Sequence, residues 1–214
     1  MSPLFRILCV GDSLTEGYHH YGTAFHPYSL TLERSLLNYP RFKDASFTVT
    51  TDGRSGDRVL SPGTFVSRLE MRLREAEQEG FTYDWVVILG GINDIGYRID
   101  AVAIFSGLKE LWSMALRHGS KVIALSCLEW DVEQRDGWIA AQVKRLNGLI
   151  EGFQGTCDGW FFYDIRCDVP QFALAGEERD IFWDDGMHLT AAGYDRMGEC
   201  IANALLRFEM RNRN

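Results

Sequence analysis

The chain has 214 residues, of which 46% are hydrophobic and 24% are charged. This length supports one substantial core and is short for two domains, so we predict a single domain over residues 1–214. The formal net charge of -8 argues against the basic surface that binding to nucleic acid or to an anionic membrane requires.

Apolar runs of strand length alternate along the chain with longer segments of helical period. This alternation predicts an α/β fold with a mainly parallel sheet covered by helices on both faces. The predicted strands are Arg6–Val10, Ser46–Thr51, Trp85–Leu89, Val122–Leu125 and Trp160–Tyr163. The predicted helices are Pro27–Leu37, Phe65–Glu79, Ala101–Arg117, Trp138–Phe153 and Ala191–Phe208. Residues 164–184 show weaker periodicity and receive no predicted element.

The first predicted strand runs directly into Gly11-Asp12-Ser13-Leu14. Gly11 permits a sharp turn, and Ser13 would then lie beyond the carboxyl end of the strand, where open α/β sheets bind their ligands. A serine in that position can serve as a nucleophile. The alternative is that Asp12 and Ser13 only cap a helix, because both residue types accept hydrogen bonds from free helix N–H groups.

Glycine-rich segments follow the second and third predicted strands at residues 52–57 and 90–94. They could direct the N–H of Gly56 and the side chain of Asn93 into the same crevice as the N–H of Ser13. Fixed donors of this kind stabilise the negative charge that an ester oxygen acquires during acyl transfer. Glycine turns and Asn-Asp pairs are also common in ordinary turns and caps, so each segment has a purely structural alternative.

Close to the other end of the chain, Asp185-Gly186-Met187-His188 provides an acid and an imidazole. Their spacing lets both side chains project from one turn toward the same side. A histidine can take a serine proton and return it near neutral pH, and an aspartate can orient the ring. The alternative is that Asp185 caps the final helix and His188 lies on the surface. Asp184 is a second candidate for the acid, although the three-residue spacing favours Asp185.

Taken together, these blocks resemble the SGNH/GDSL hydrolase family, which is named for one Ser, one Gly, one Asn and one His. The matching residues are Ser13 in Gly-Asp-Ser-Leu, Gly56 in Gly-Arg-Ser-Gly-Asp, Asn93 in Gly-Ile-Asn-Asp and His188 in Asp-Gly-Met-His. The resemblance implies a flavodoxin-like three-layer α/β/α sandwich whose five-stranded parallel sheet has the order 2-1-3-4-5. It also implies hydrolysis of carboxylic esters or thioesters through an acyl-serine intermediate, without a metal or cofactor.

By the same resemblance, Ser13, Asp185 and His188 are the expected catalytic triad, and Ser13, Gly56 and Asn93 the expected oxyanion hole. Thr15 stands where the Gly-x-Ser-x-Gly elbow of α/β-hydrolases requires glycine, which disfavours that other fold. The segment also lacks the glycine spacing and the lysine of nucleotide-binding loops. The functional alternative is a non-catalytic module that binds a small molecule or a carbohydrate on the same fold.

Aromatic residues are frequent near the predicted strand ends: Tyr18, Tyr21, Phe25, Tyr97, Trp130, Trp138, Phe182 and Trp183. They suggest either an apolar or sugar-stacking pocket or ordinary core packing. No extended apolar lid is evident, which favours short acyl chains. The expected partner is therefore a small-molecule ester, with an acetylated sugar among the candidates. The oligomeric state is left open.

The loop histidines His19, His20 and His26 have no neighbouring carboxylate or cysteine in sequence, so we expect solvated histidines and no metal site. Cys127 is expected to be a buried small hydrophobe, although it and Glu129 could contact substrate. The five cysteines form no Cys-x-x-Cys pair, which is typical of reduced thiols in a cytosolic protein.

The start of the chain, Met1 to Leu4, has no basic leader, and no apolar run approaches the roughly 20 residues that span a bilayer. These two features predict a cytoplasmic protein without a signal peptide or a membrane anchor.

Overall fold

The computed structural model describes residues 4–40 and 44–211. Its centre is a five-stranded sheet in which every adjacent pair is parallel. The strands are β1 (Leu4–Gly11), β2 (Ser46–Gly53), β3 (Trp85–Leu89), β4 (Lys121–Leu125) and β5 (Trp160–Tyr163). Their order across the sheet is β2-β1-β3-β4-β5, which confirms both the predicted α/β class and the predicted 2-1-3-4-5 order.

Helices cover both faces of this sheet. In chain order they are α1 (Ser13–Glu16), α2 (Ser29–Leu37), α3 (Phe65–Gln78), α4 (Ile92–Gly96), α5 (Ala101–Arg117), α6 (Gly137–Glu151), α7 (Ile165–Asp168), α8 (Gly176–Phe182) and α9 (Ala191–Arg211). Helices α3, α5 and α6 pack on one face, and α2, α7 and α9 pack on the other. The molecule is therefore a three-layer sandwich, as predicted.

The two faces of β1 show how the sequence builds these layers. Leu8 and Val10 point into the core shared with α3 and α5, whereas Ile7 and Cys9 point into the core shared with α2 and α9. All four side chains are fully buried. A strand that is buried on both faces reads as a continuous apolar run, which is why the sequence predicts it well.

The helices that the sequence predicts are present, with ends that move by a few residues. Helix α6 begins at Gly137 because the carboxylate of Asp136 accepts hydrogen bonds from the N–H groups of Trp138 and Ile139. Such a cap satisfies donors that have no partner within the helix and fixes where the helix starts.

Two regions differ from the sequence prediction. A small antiparallel hairpin, which we call the Tyr18–Phe25 hairpin, pairs Tyr18–His19 with Ala24–Phe25 directly after α1. Its two-residue strands are too short to produce a periodic signal. The segment 164–184, which received no predicted element, contains the short helices α7 and α8.

The prediction that the loop histidines are solvated is wrong for His19. This side chain is 7% exposed because the hairpin carries it toward the ring of Tyr194, 6.5 Å away between centroids. His20 is exposed, as predicted. His26 is partly buried and bonds Asp195 at 3.0 Å.

Within residues 4–40 and 44–211, no helix is both long and apolar enough to cross a membrane. Over those same ranges, no group of three or more His, Cys, Asp or Glu side chains is arranged to hold a metal ion. Residues 1–3, which contribute to the prediction of a missing leader, lie outside the described residues. The single domain over residues 1–214 and the cytoplasmic location stay predictions.

Candidate active site

The turn after β1 places Ser13 at the carboxyl edge of the sheet. A Cβ on Gly11 would lie 2.0 Å from Oγ1 of Thr15, so only glycine fits where the strand turns. Asp12 accepts a hydrogen bond from the N–H of Leu14 at 3.0 Å and thereby caps α1. Ser13 is the first residue of α1 and is 4% exposed. The capping alternative is thus correct for Asp12, while Ser13 is free for another role.

Ser13, His188 and Asp185 lie in one hydrogen-bonded line. Oγ of Ser13 is 3.0 Å from Nε2 of His188, across 175 positions of sequence. Nδ1 of the same ring is 2.8 Å from Oδ2 of Asp185. The other oxygen, Oδ1, accepts hydrogen bonds from the N–H groups of Met187 and His188 at 2.7 and 2.6 Å. The structure therefore brings together the three residues of the predicted triad.

The charge of Asp185 fixes the orientation of protons in this line. Partial burial acts to raise the pKa of its carboxyl, but the bonds from the ring and the N–H of His188 and from the N–H of Met187 outweigh burial and lower the pKa to about 2. An ionised carboxylate can only accept, so Nδ1 of His188 must donate to it. When the ring is neutral, Nε2 then carries the lone pair that faces the hydroxyl of Ser13.

Asp184 and the Tyr18–Phe25 hairpin flank this line. The carboxylate of Asp184 accepts the N–H of His20 at 2.7 Å, so it faces the hairpin while Asp185 faces the ring of His188. The ring of Tyr18 lies 4.5 Å from the ring of His188 between centroids. Sequence analysis missed this contact, and only the aromatic density after Ser13 pointed toward it.

The loop after β2, residues 54–58, is hydrogen-bonded to the Ser13 turn. The N–H of Arg54 bonds the carbonyl oxygen of Gly11 at 3.2 Å, and the N–H of Ser55 bonds a carboxylate oxygen of Glu16 at 2.8 Å. Gly56 has a φ of +73°, a left-handed conformation that a side chain would strain. We call this segment the Gly56 loop.

Helix α4, which follows β3, is bonded to the same loop. The side-chain amide of Asn93 donates to the carbonyl oxygen of Asp57 at 2.9 Å. The buried carboxylate of Asp94 accepts the N–H groups of Val59 and Leu60 at 2.9 and 3.0 Å. An amide NH₂ has two donors, so this geometry leaves the second N–H of Asn93 available.

The three predicted oxyanion donors sit at the ends of three adjacent strands, β2, β1 and β3. Among the described residues, the N–H groups of Ser13 and Gly56 have no hydrogen-bond partner. Ser13 is buried, so an N–H without a protein partner is unusual there and suited to a ligand, whereas Gly56 is exposed to solvent. Both N–H groups are thus free to donate to a negatively charged oxygen of a ligand.

Asp12 differs electrostatically from Asp185. Its Oδ2 is buried without a hydrogen-bond partner in the structure as described, and the residue is fully buried. Burial raises the pKa of its carboxyl to about 6, against the lowering effects of the Leu14 N–H and of His188. Two carboxyls close to Ser13 therefore have opposite pKa shifts.

A small cavity of about 10 Å³ lies beside the serine turn. Its lining is mainly apolar: Leu14, Leu89, Gly90, Ile92, Cys127, Leu128, Trp130 and Met187, together with Asp12 and Glu129. The thiol of Cys127 is buried, as predicted, and burial raises its pKa to about 12. Of the aromatic candidates, Trp130 lines this cavity, whereas Trp183 is buried and Trp138 stacks under Arg98.

A model of the GDSL-like lipase/acylhydrolase family matches residues 9–196 of the chain. The comparison with curated protein sequences returned no match.

Solved structures with the same fold include three esterases or lipolytic proteins. The inhibitor-bound aryl esterase of M. smegmatis is 19% identical, with a TM-score of 0.70 over 95% of this chain and 99% of that one. A carbohydrate acetylesterase from Sinorhizobium meliloti is 19% identical, with a TM-score of 0.69 over the same shares of the two chains. A member of the lipolytic G-D-S-L family from Veillonella parvula is 19% identical, with a TM-score of 0.71, again over 95% and 99%.

Proposed function

Because the chain belongs to the GDSL-like lipase/acylhydrolase family, we propose that it is a serine esterase that hydrolyses carboxylic esters with short acyl chains. Ser13, His188 and Asp185 are its catalytic triad. Ser13, Gly56 and Asn93 supply the oxyanion hole. The substrate is a small-molecule ester, and the reaction uses no metal or cofactor.

One observation carries this proposal: the hydrogen-bonded line from Oγ of Ser13 through His188 to Asp185, with distances of 3.0 and 2.8 Å. A nucleophile within hydrogen-bond reach of a base that is itself oriented by an acid is the geometric signature of nucleophilic catalysis. A module that only binds its ligand has no need for a base on the serine.

The reaction follows from the proton positions. Oγ of Ser13 attacks the ester carbonyl carbon while Nε2 of His188 takes the hydroxyl proton, and Asp185 stabilises the charged ring. Collapse of the tetrahedral intermediate breaks the bond to the alcohol, which leaves with that proton. Water then attacks the acyl-serine with the help of the same base, and the acid product departs as Ser13 regains its proton.

In this proposal the oxyanion accepts hydrogen bonds from three donors of the chain. The N–H groups of Ser13 and Gly56 bond no other group of the described residues, and Asn93 uses one N–H of its amide for the carbonyl of Asp57, so no hydrogen bond within the protein must be broken to use these donors. Preorganised donors lower the barrier because they need no reorganisation as charge develops.

The apolar cavity beside Ser13 is the proposed acyl site. Its volume of about 10 Å³ is roughly the space that one water molecule needs, so without movement of its lining it accepts a group no larger than the methyl of an acetyl ester. Trp130 and Met187 would limit the length of the chain that enters. The alcohol would lie on the open side of the crevice, and an acetylated sugar fits this division. The structural neighbours described as an aryl esterase and a carbohydrate acetylesterase are consistent with a small ester.

Labelling with an organophosphonate probe tests the enzymatic proposal. We expect stoichiometric labelling of the wild-type protein and hydrolysis of p-nitrophenyl acetate, both of which are lost in Ser13→Ala. Ligand binding without labelling or hydrolysis would instead favour the binding-module alternative.

Substitution of Trp130 tests the acyl site. Trp130→Ala should increase kcat/KM for p-nitrophenyl octanoate relative to the acetate by at least about tenfold, because discrimination by a single methylene in an apolar pocket is worth about 10–200-fold. Trp138→Ala is the matched control, since this tryptophan is partly exposed and lies outside the cavity. An equal change in both variants, or a wild-type preference for octanoate, would contradict a short-acyl site.

A further inference from the structure

A buried arginine on α3 contacts the segments that carry the proposed oxyanion hole. The side chain of Arg68 is 11% exposed, and it extends from the first turn of α3 toward the ends of β1 and β2. Neither the triad nor the proposed oxyanion donors include it. Its position results from the helix, since Phe65 and Leu69 bury the adjacent face of α3 in the core.

Every N–H of this guanidinium has an acceptor. Nη2 bonds the carbonyl oxygen of Gly11 at 2.7 Å, and Nη1 bonds the carbonyl oxygen and a carboxylate oxygen of Asp52 at 2.7 and 2.6 Å. Nη2 and Nε both bond Oδ2 of Asp57, at 3.0 and 3.1 Å. A guanidinium has five donors in a rigid planar fork, so saturating them fixes the relative positions of the three residues that supply the acceptors.

Each proposed oxyanion donor is either close in sequence or hydrogen-bonded to one of these acceptor residues. Gly11 is two residues before Ser13. Asp57 directly follows Gly56, and its carbonyl oxygen accepts the side chain of Asn93 at 2.9 Å. One buried cation is therefore joined by short covalent or hydrogen-bonded paths to all three donors.

Asp57 is itself held from several directions. Its carboxylate accepts the N–H of Arg58 at 2.9 Å and the N–H and hydroxyl of Thr64 at 2.7 Å each. Burial acts to raise the pKa of this carboxyl, but the bonds from Thr64, Arg58 and Arg68 outweigh burial and lower it. An ionised Asp57 is the acceptor that the guanidinium fork requires.

We propose that Arg68 is a positioning residue for ester hydrolysis, which holds the Gly56 loop and Asn93 in register with Ser13 by bonding Gly11 and Asp57 at once. This inference rests on the proposed function. Arg68 does not touch the reacting atoms in this arrangement. It determines where the oxyanion donors stand when the tetrahedral intermediate forms.

The experiment compares Arg68→Lys with Arg72→Gln in the full-length protein. Arg72 lies one turn further along α3 and also bonds the carboxylate of Asp52, at 3.3 Å, but it does not bond Gly11 or Asp57. Lysine keeps the charge at position 68 but lacks the planar fork. We expect kcat for p-nitrophenyl acetate to fall about 100-fold in Arg68→Lys, at the lower end of the range for a lost oxyanion donor, with KM changed by less than about threefold. Arg72→Gln should keep kcat within about threefold.

Two further measurements separate positioning from general destabilisation. Rates are expressed per active serine, titrated with the phosphonate probe, so that unfolded protein does not count. Affinity for a boronic acid inhibitor, which forms an anionic tetrahedral adduct with serine, should fall in parallel with kcat in Arg68→Lys. If Arg68→Lys does not fold, Asp57→Asn tests the same link, because it weakens the guanidinium bond from the other side and should show the same selective loss of kcat.

The inference is overturned if Arg68→Lys, or Asp57→Asn in its place, retains kcat within about threefold of Arg72→Gln per active serine. It is also overturned if boronate affinity is unchanged. The proposed function fails separately, if the wild-type protein shows neither hydrolysis nor labelling at Ser13.

Discussion

The carboxylate of Asp185 and the Gly56 loop are held in place in different ways. The carboxylate of Asp185 bonds groups within three residues of itself: the N–H of Met187 and both the N–H and the ring of His188. The distant bonds of its loop go to the backbone, where the carbonyl oxygens of Asp185 and Gly186 accept the side chain of Gln171 and the N–H of Asp131. The Gly56 loop depends on distant partners, namely Gly11, Glu16, Arg68 and Asn93.

This difference indicates which part of the candidate site depends on residues elsewhere in the fold. A carboxylate whose partners lie within its own short motif can be recognised from sequence and depends less on remote elements. The Gly56 loop is held by long-range hydrogen bonds, so it takes its geometry from other elements of the fold. We therefore expect substitutions at the acid–base loop to act on the chemistry itself and substitutions around the Gly56 loop to act in part through position.

The largest loss of activity is expected from substitution of the proposed nucleophile and base. Ser13→Ala and His188→Ala should each lower kcat for p-nitrophenyl acetate about a millionfold, because nucleophile and base act as a unit. Their melting temperatures should stay close to that of the wild-type protein. A residual rate within about a hundredfold of wild type in either variant would remove that residue from the mechanism.

The acid–base loop alone should show the next largest effect. Asp185→Asn should lower kcat about ten-thousandfold, since an amide cannot hold the ring in the required tautomer or stabilise its charge. Asp184→Asn provides the matched control, because Asp184 bonds the hairpin and not the ring of His188, and its kcat should change by less than about tenfold. Equal losses in the two variants would refute the assignment of Asp185.

On the oxyanion side, Asn93→Ala should lower kcat by about a hundred to a thousandfold with little change in KM, the range for one lost donor. Because Asn93 also bonds the carbonyl of Asp57, we expect a lower melting temperature as well. This combined loss would distinguish the oxyanion side from the acid–base loop. A drop in melting temperature with a normal kcat would leave Asn93 a purely structural role.

The smallest effect concerns the pH dependence of stability. The folded pKa of Asp185 is about 2, below its unfolded value near 3.9, so its ionised form stabilises the fold above about pH 4 and this contribution is lost as pH falls toward 2. The folded pKa of Asp12 is about 6, above its unfolded value, so its contribution is present below about pH 4 and is lost as pH rises toward 6.

Urea unfolding of Asp12→Asn and Asp185→Asn between pH 2 and pH 7 measures these contributions. Relative to Asp185→Asn, the free energy of unfolding of the wild-type protein should fall by about 2 kcal/mol on acidification from pH 4 to pH 2. Relative to Asp12→Asn, it should fall by a similar amount as pH rises from 4 to 6. Parallel pH profiles for wild type and both variants would contradict these opposite shifts.

The sequence alone determined the sheet and most of its helices. Strands such as Trp85–Leu89 are buried on both faces and therefore leave an uninterrupted apolar run, and helices such as α3 leave apolar residues at four-residue steps. It also identified Ser13 and His188 as a candidate pair, because both lie in short blocks that resemble those of the SGNH/GDSL family. The two-residue strands of the hairpin and the short helices α7 and α8 contain too few residues for any period to appear.

The tertiary structure decided the relationships between those blocks. The spacing favours Asp185 as the acid without excluding Asp184, and only the fold shows that Asp184 bonds His20 while Asp185 bonds the ring of His188. Only packing brings Arg68 against Gly11 and Asp57, and Tyr18 against the ring of His188. A periodic pattern reports which face of an element is buried, whereas a hydrogen bond between distant residues depends on where the whole chain places them. The chemistry of the residues could thus be read from the sequence, and their convergence required the fold.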